Sequence, residues 1–283
     1  MLDKSKLKKL KLIVFDLDGT LLSDNNQIGK ESVQLIKELG VMGVKFSFAT
    51  GRIHSAITEH ADTLNLHTPL ISLDGSLIKT HPEAKIIFES YVPARYIKKA
   101  IKYADDLLLK IALCHPEAIY YTETNSSIPS LLDKFGAKYI HVNSYENLVN
   151  RTLEVVVAGD MKKAVRLFHS RMMFPYSFGL NTSYYKSHSR GDLYYVEARK
   201  AGTNKGTGLK RLAKYLKINI NETAVMGDWY NDRHLFSTGA LAVAVQNAVS
   251  EIKYHSSFIT KRTNNEDAAA EFLEMVYKAK KTS

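Results

Sequence analysis

The sequence predicts an α/β fold: a parallel-sheet core split into two chain segments, with an α+β unit inserted between them. Three observations predict it. Continuous apolar runs of strand length alternate with helical periodicity in the first quarter of the chain. The same alternation returns from about residue 205 onward. Between them lies a tyrosine-rich middle third of short strand-like runs and intervening helices. The expected boundaries are 1–81 and 195–283 for the core and 82–194 for the insertion.

Each element follows from its residues. Leu10 to Phe15 is a continuous apolar run, as a strand buried on both faces requires. Val33, Leu35, Ile36 and Leu39 recur at helical spacing, and Gly40 and Gly43 stop that helix. Val44 to Ala49 reads as a second buried strand, Ile53 to Leu64 as a helix, and Leu70 to Leu73 as a third strand closed by the turn pair Asp74-Gly75. In the insertion, strands are expected at Ile86 to Glu89, Lys110 to Cys114, Ala118 to Thr122, Glu154 to Ala158 and Tyr194 to Ala198, with helices at Ile97 to Ala104 and Met161 to Arg171. The core then resumes. Lys205 to Leu216 is an amphipathic helix, Thr223 to Met226 a strand, Leu235 and Phe236 part of a helix, Leu241 to Val245 a strand, and Glu266 to Lys278 a closing helix.

Composition narrows the class. The chain has 283 residues and a formal net charge of +10, which can attract nucleic acid, an anionic surface or phosphorylated small molecules. Part of that charge sits in terminal clusters, Lys4, Lys6, Lys8 and Lys9 at one end and Lys278, Lys280 and Lys281 at the other, which read as solvated tails. No nucleic-acid-binding motif is recognisable, and the remaining basic residues are scattered. The single cysteine, Cys114, cannot form an internal disulfide and reads as a small buried residue. Asp16 cuts short the apolar run after the N-terminal lysines, so a signal peptide is not expected. No stretch reaches the roughly 18 apolar residues that span a bilayer. A cytoplasmic protein without a membrane partner is the expectation, with the oligomeric state left open.

Four segments carry candidate chemistry, each at a strand end or helix start, where open α/β sheets place ligands. Asp16-Leu17-Asp18-Gly19-Thr20 offers one carboxylate that can attack and a second that can move a proton. The plainer reading is an ordinary strand-to-turn junction. Ala49-Thr50-Gly51-Arg52, ahead of the expected helix, offers a hydroxyl and backbone N–H groups for an anion, or simply a helix cap. Lys205-Gly206 offers a cation at a helix start, though an isolated lysine is usually solvated. Gly227-Asp228-Trp229-Tyr230-Asn231-Asp232 clusters acidic oxygens suited to a hard cation, or forms a polar loop. No His and Cys cluster at zinc spacing competes.

In this order, at successive strand ends and interrupted by the insertion after the second, the segments resemble the four motifs of the haloacid dehalogenase superfamily. The Gln246-Asn247-Ala248 and Thr263-Asn264-Asn265-Glu266-Asp267 segments extend the resemblance to Cof-type hydrolases with a large α/β cap, over essentially the whole chain. The resemblance implies a Rossmann-like core and a Mg2+-dependent phosphatase acting on small phosphorylated metabolites. Asp16 matches the nucleophile and a metal ligand. Asp18 matches the acid/base, with its carbonyl on the metal, and Asp228 the remaining protein ligand. Thr50 and Gly51 match the phosphoryl-binding pair, Lys205 the charge-neutralising lysine, Asn231 a phosphoryl contact, and Asp232 a support for the metal shell or for Lys205. Asp74-Gly75 departs from the usual Asn-Gly, and Trp229 and Tyr230 are bulkier than usual.

The cap of such proteins selects the leaving group. Tyr184, Lys186, His188 and Arg190 form a polar, cationic run that could grip a sugar or second phosphate; a solvated loop is the plainer reading. His169 reads as structural. Two other functions fit the same residues less well: phosphate transfer between sugar hydroxyls, as in phosphomannomutase-like proteins, and a basic binding module on an inactive core.

Overall fold

The computed structural model describes residues 2–131, 137–173, 175–187 and 192–281. They fall into two compact units: Met1–Gly51, Thr58–Ile87 and Asn204–Ser283 in the first, Arg52–Ile57 and Phe88–Thr203 in the second.

The first unit is built on a five-stranded, all-parallel sheet in the order Phe258–Ile259, Leu241–Ala244, Thr223–Gly227, Leu12–Phe15, Lys45–Phe48. Leu12–Phe15 lies inside the sheet and is wholly buried, because both faces are covered. Burying each of its side chains contributes roughly 1.5–3 kcal/mol, so the platform beneath the next residue is rigid. From this strand the chain moves first to one side, to Lys45–Phe48, and later to the other, to Thr223–Gly227. Strand order therefore reverses at Leu12–Phe15, and the crevice at its carboxyl end is where such sheets bind ligands. A three-stranded sheet, in the order Leu70–Ser72, Leu77–Lys79, Ile86–Glu89, adjoins the parallel one through a parallel bridge between Ala49 and Ile71. Helices Lys30–Val41 and Ala268–Lys281 pack together. The first of these begins at Gly29, which has no side-chain cap; the Asp267 carboxylate takes that role from across the chain, accepting from Ser32 N at 3.0 Å and from the Ser32 hydroxyl.

The second unit carries a six-stranded sheet in the order Leu180–Lys186, Tyr194–Lys200, Glu154–Gly159, Lys110–Cys114, Ile119–Tyr121, Tyr139–His141, antiparallel except for the last pair. Ile97 and Ala100 of helix Ala94–Asp106 and Val165 and Phe168 of helix Lys162–Met172 form its core with Leu113, Val155, Val157 and Val196.

Three expectations need correction. The single helix over 53–64 is a 3-10 turn, His54–Ala56, and a short helix, Thr58–Thr63, separated at Ile57, whose φ and ψ are −122° and −6°. The return to the first unit falls after Thr203 and not at 195, because Tyr194–Lys200 is bonded on both sides within the second unit's sheet. The run from Tyr184 is not a loop at its start: Tyr184 and Lys186 lie on Leu180–Lys186. Among the described residues, no helix is long and apolar enough to cross a membrane.

Candidate active site

Asp16 follows the strand Leu12–Phe15 directly. Its N–H donates to Met226 O at 2.9 Å, and the Phe15 carbonyl accepts from Ala49 N at 2.8 Å, so the backbone is held from both neighbouring strands. The carboxylate is buried. Thr223–Gly227 runs alongside and delivers Asp228 at the same level. Gly19 turns the chain back at φ +76°, and a Cβ there would lie 2.5 Å from Asp228 Oδ2; only glycine admits both the turn and the close approach.

Lys205 opens the helix Lys205–Leu216. Asn204 caps that helix, accepting from Thr207 N at 2.8 Å, while the Thr207 hydroxyl accepts from Asn204 N at 3.1 Å. The Lys205 side chain is fully buried, and its ammonium donates to Asp16 Oδ1 at 2.6 Å and Asp232 Oδ1 at 2.7 Å. Asp232 sits in the 3-10 turn Tyr230–Asp232, and its Oδ2 accepts from Asp228 N at 2.9 Å and Trp229 N at 3.2 Å. Thr20 donates its hydroxyl to Asp228 Oδ1 at 2.8 Å. Lys205 thus pairs with a residue 189 positions away in the chain.

Carboxylate oxygens of Asp16, Asp228 and Asp232 lie within 4.8 Å of one another. Both Asp232 oxygens are engaged by the lysine and the backbone, so Asp232 braces the site. Asp16 and Asp228 each have one oxygen engaged by Lys205 or Thr20 and a second that can face a cation. Hard, anionic oxygens fit Mg2+.

The electrostatics show the same excess of negative charge. Burial, followed by the Asp232 and Asp228 charges, pushes Asp16 well above the usual carboxylate range against the pull of Lys205. Burial and Asp232 raise Asp228 to about 7. Burial alone would lower Lys205, but the charges of Asp16, Asp232 and Asp74 outweigh it and hold the ammonium protonated. A divalent cation would remove this tension by favouring ionised carboxylates.

Thr50 and Gly51 end the neighbouring strand. The Thr50 N–H is committed to Ile71 O at 3.0 Å, and no helix starts directly behind Gly51, which corrects the expected cradle of amides at a helix start. Asp74 was expected only to turn the chain. It is instead buried beside this segment: its N–H donates to Thr50 O at 2.9 Å, and its Oδ1 accepts from Asn231 Nδ2 at 3.2 Å. Asp18 is exposed at the opening of the loop after Asp16.

The haloacid dehalogenase-like hydrolase family matches residues 13–273. This chain belongs to that family. Relatives include the phosphatase YwpJ of Bacillus subtilis, 24% identical over 94% of this chain and 99% of the relative. The 5-amino-6-(5-phospho-D-ribitylamino)uracil phosphatase YitU of the same organism is 23% identical over 93% and 96%. A haloacid dehalogenase-like hydrolase from Bacteroides thetaiotaomicron shares the fold with a TM-score of 0.83, at 22% identity over 94% of this chain and 99% of that one.

Within this haloacid dehalogenase-like hydrolase, Asp16, Lys205, Asp228 and Asp232 converge on one buried cluster, with Thr50, Gly51, Asp74 and Asn231 linked beside it. Tyr184 belongs to the second unit's core instead. Its ring stacks on Tyr194 at 6.1 Å with an 8° tilt and lies 5.8 Å from His169. Lys186 is exposed at that strand's end, and His188 and Arg190 lie outside the described residues. Sequence reasoning gave no role to Thr20 or Asn247. Asn247 donates to Gly19 O at 2.8 Å and accepts from Asn264 N at 2.9 Å, so it fastens the loop carrying Asp18. The similarity of the 246–248 and 263–267 segments to the family was the available signal.

Proposed function

We propose that the chain is a magnesium-dependent phosphatase that hydrolyses phosphate monoesters of small metabolites through a phospho-Asp16 intermediate, most consistent with a cytoplasmic setting given its lone, buried thiol. The observation that carries this reading is the Lys205 ammonium bridging Asp16 and Asp232 with Asp228 alongside. The name of the YitU relative, a phosphatase of a phosphorylated ribityl compound, supports the small-metabolite class.

A bound divalent cation, held by Asp16, Asp228 and the Asp18 carbonyl, would neutralise the charge that otherwise repels an anionic substrate. A carboxylate oxygen of Asp16 attacks phosphorus. The bond from phosphorus to the ester oxygen breaks, and Asp18, exposed and so accessible to substrate, gives its proton to the departing oxygen. Lys205 stabilises charge on the phosphoryl oxygens, with Thr50, Gly51 and Asn231 as further contacts. Asp18 then takes a proton from water as that water attacks phosphorus. The bond from phosphorus to Asp16 breaks, which frees phosphate and restores both carboxyl groups. Asp232 holds Lys205 in place throughout.

The test is phosphate release from a panel of sugar, nucleotide and coenzyme phosphates with and without Mg2+. Turnover should require the metal and vanish in Asp16→Asn. Full activity in that variant would end the mechanism, and an isomerised hexose phosphate in place of free phosphate would convert the reading to transfer.

A further inference from the structure

Leu73 and Asp74 are consecutive non-glycine residues with left-handed φ, 47° and 46°. Such backbone is sparsely populated, and it persists where the surroundings over-determine it. Here it follows the buried strand Leu70–Ser72, and Asp74 is only 7% exposed. Hydrogen bonds to two neighbouring segments hold it. Asp74 N donates to Thr50 O at 2.9 Å. Asp74 Oδ1 accepts from Asn231 Nδ2 at 3.2 Å. The same oxygen lies 3.5 Å from where a Cβ on Gly51 would stand. Thr50, Gly51 and Asn231 are the residues to which the proposed function gives the phosphoryl group. With Asp16, Asp228 and Asp232, Asp74 adds a further buried carboxylate around the Lys205 ammonium.

A neutral amide would orient Asn231 equally well, since either side chain offers an oxygen to accept its N–H. The carboxylate adds charge, and that charge repels the anion the pocket is built to hold. We propose that Asp74 is a positioning residue that orients the Asn231 amide and, through its charge, keeps the pocket's affinity for phosphate low enough for the product to leave. This inference rests on the proposed reading of the pocket as a phosphoryl site.

Two variants separate the roles. Asp74→Asn keeps the accepting oxygen and tolerates left-handed backbone, but removes the charge. Asp74→Gly tolerates the backbone and removes both charge and oxygen. Inorganic phosphate with Mg2+ is the probe. Its dissociation constant is read by calorimetry on the full chain, and its inhibition constant, KM and kcat are read with an aryl phosphate. Thermal melting confirms that each variant is folded. Asp74→Asn should bind phosphate about tenfold more tightly, and KM should fall with it while kcat does not rise. Asp74→Gly should also bind phosphate more tightly than the parent, but lose about tenfold more kcat than Asp74→Asn. Unchanged or weaker phosphate binding in Asp74→Asn overturns the charge role. Equal kcat in the two variants overturns the orienting role. The underlying reading can fail separately: a parent chain that binds phosphate yet turns over no ester loses the phosphatase assignment, while the affinity ratio still decides for or against Asp74. Absence of phosphate binding in both the parent and Asp74→Asn overturns the inference.

Discussion

Each unit buries a cluster of charge, and the two clusters are balanced differently. In the second unit, Arg199 forks between two carboxylates: Nε donates to Glu154 and a terminal nitrogen to Glu197. Tyr185 donates its hydroxyl to Glu197, and Cys114 its thiol to Glu154 at 3.9 Å. Burial, then the carboxylate charges, pushes the Tyr185 hydroxyl and the Cys114 thiol well up, so both stay protonated donors. In the first unit, the single Lys205 ammonium meets Asp16 and Asp232 with Asp228 and Asp74 close by, so the buried carboxylates outnumber the cation. A buried charge met by a cation and by neutral hydrogen-bond donors stabilises one arrangement of the chain. A buried charge left in excess is held in place by the rest of the fold and marks chemistry.

The largest expected effect breaks the comparison at its active side. Asp16→Asn should lower turnover by roughly 10^6, the scale seen when a nucleophile is removed. The melting temperature of the metal-free protein should rise, because one member of a mutually repelling group has lost its charge. A lower melting temperature would show that Asp16 is structural, like Glu154. On the other side, Arg199→Met leaves Glu154 and Glu197 buried without their cation and should cost about 3–5 kcal/mol in urea unfolding. A loss under about 1 kcal/mol would mean that the second cluster is not held together by its ion pairs.

The next prediction concerns protons. Asp228 titrates near 7 in the folded, metal-free chain against 3.8 as an ordinary carboxylate. Between those values the folded state binds more protons than the unfolded one, so this group's contribution makes stability fall as pH rises from about 4 to 7. A cation must displace that proton to bind. Stabilisation by Mg2+ should therefore be small at pH 5 and grow by pH 8, raising the melting temperature there by roughly 3 °C or more, the shift expected for about 1 kcal/mol in a chain of this size. A gain from Mg2+ that is equal at both values would place the ion elsewhere. The Glu154–Arg199 cluster should show no such response to the metal.

The sequence made the active cluster easier to read than the balanced one, for a physical reason. Strands buried on both faces read as continuous apolar runs, so Leu12–Phe15 and Thr223–Gly227 stand out, and the polar residue that ends each run, Asp16 or Asp228, is marked by contrast. Lys205 was visible only through the family pattern, since nothing local separates a wholly buried lysine from a solvated one. Asp74 was hidden because Asp-Gly signals a turn whether or not its carboxylate faces a pocket. The second unit was harder. Leu180–Lys186 alternates half-buried and exposed positions with mostly polar residues, so it resembled a loop, and the boundary expected at 195 cut through its partner Tyr194–Lys200. Arg199, Glu197 and Glu154 acquire their meaning from strand register alone.

Asp267 offers a third way to satisfy an anion, and its effect should be the smallest. Its carboxylate is hydrogen-bonded at the exposed N–H end of the helix Lys30–Val41, through Ser32 N and the Ser32 hydroxyl. The partial positive charge of a helix start and two donors suffice for a half-buried group. Asp267 also has left-handed backbone, φ 61°, so alanine there would combine a lost cap with strain. Asp267→Asn avoids the strain and keeps an accepting oxygen, leaving only the charge to be measured. It should cost about 0.5 kcal/mol in urea unfolding, and Asp267→Ala about 1–2 kcal/mol. If Asp267→Asn instead costs as much as Arg199→Met, a helix start is as demanding a partner as a guanidinium, and the distinction between met and unmet charge would have to be redrawn around geometry and not charge balance.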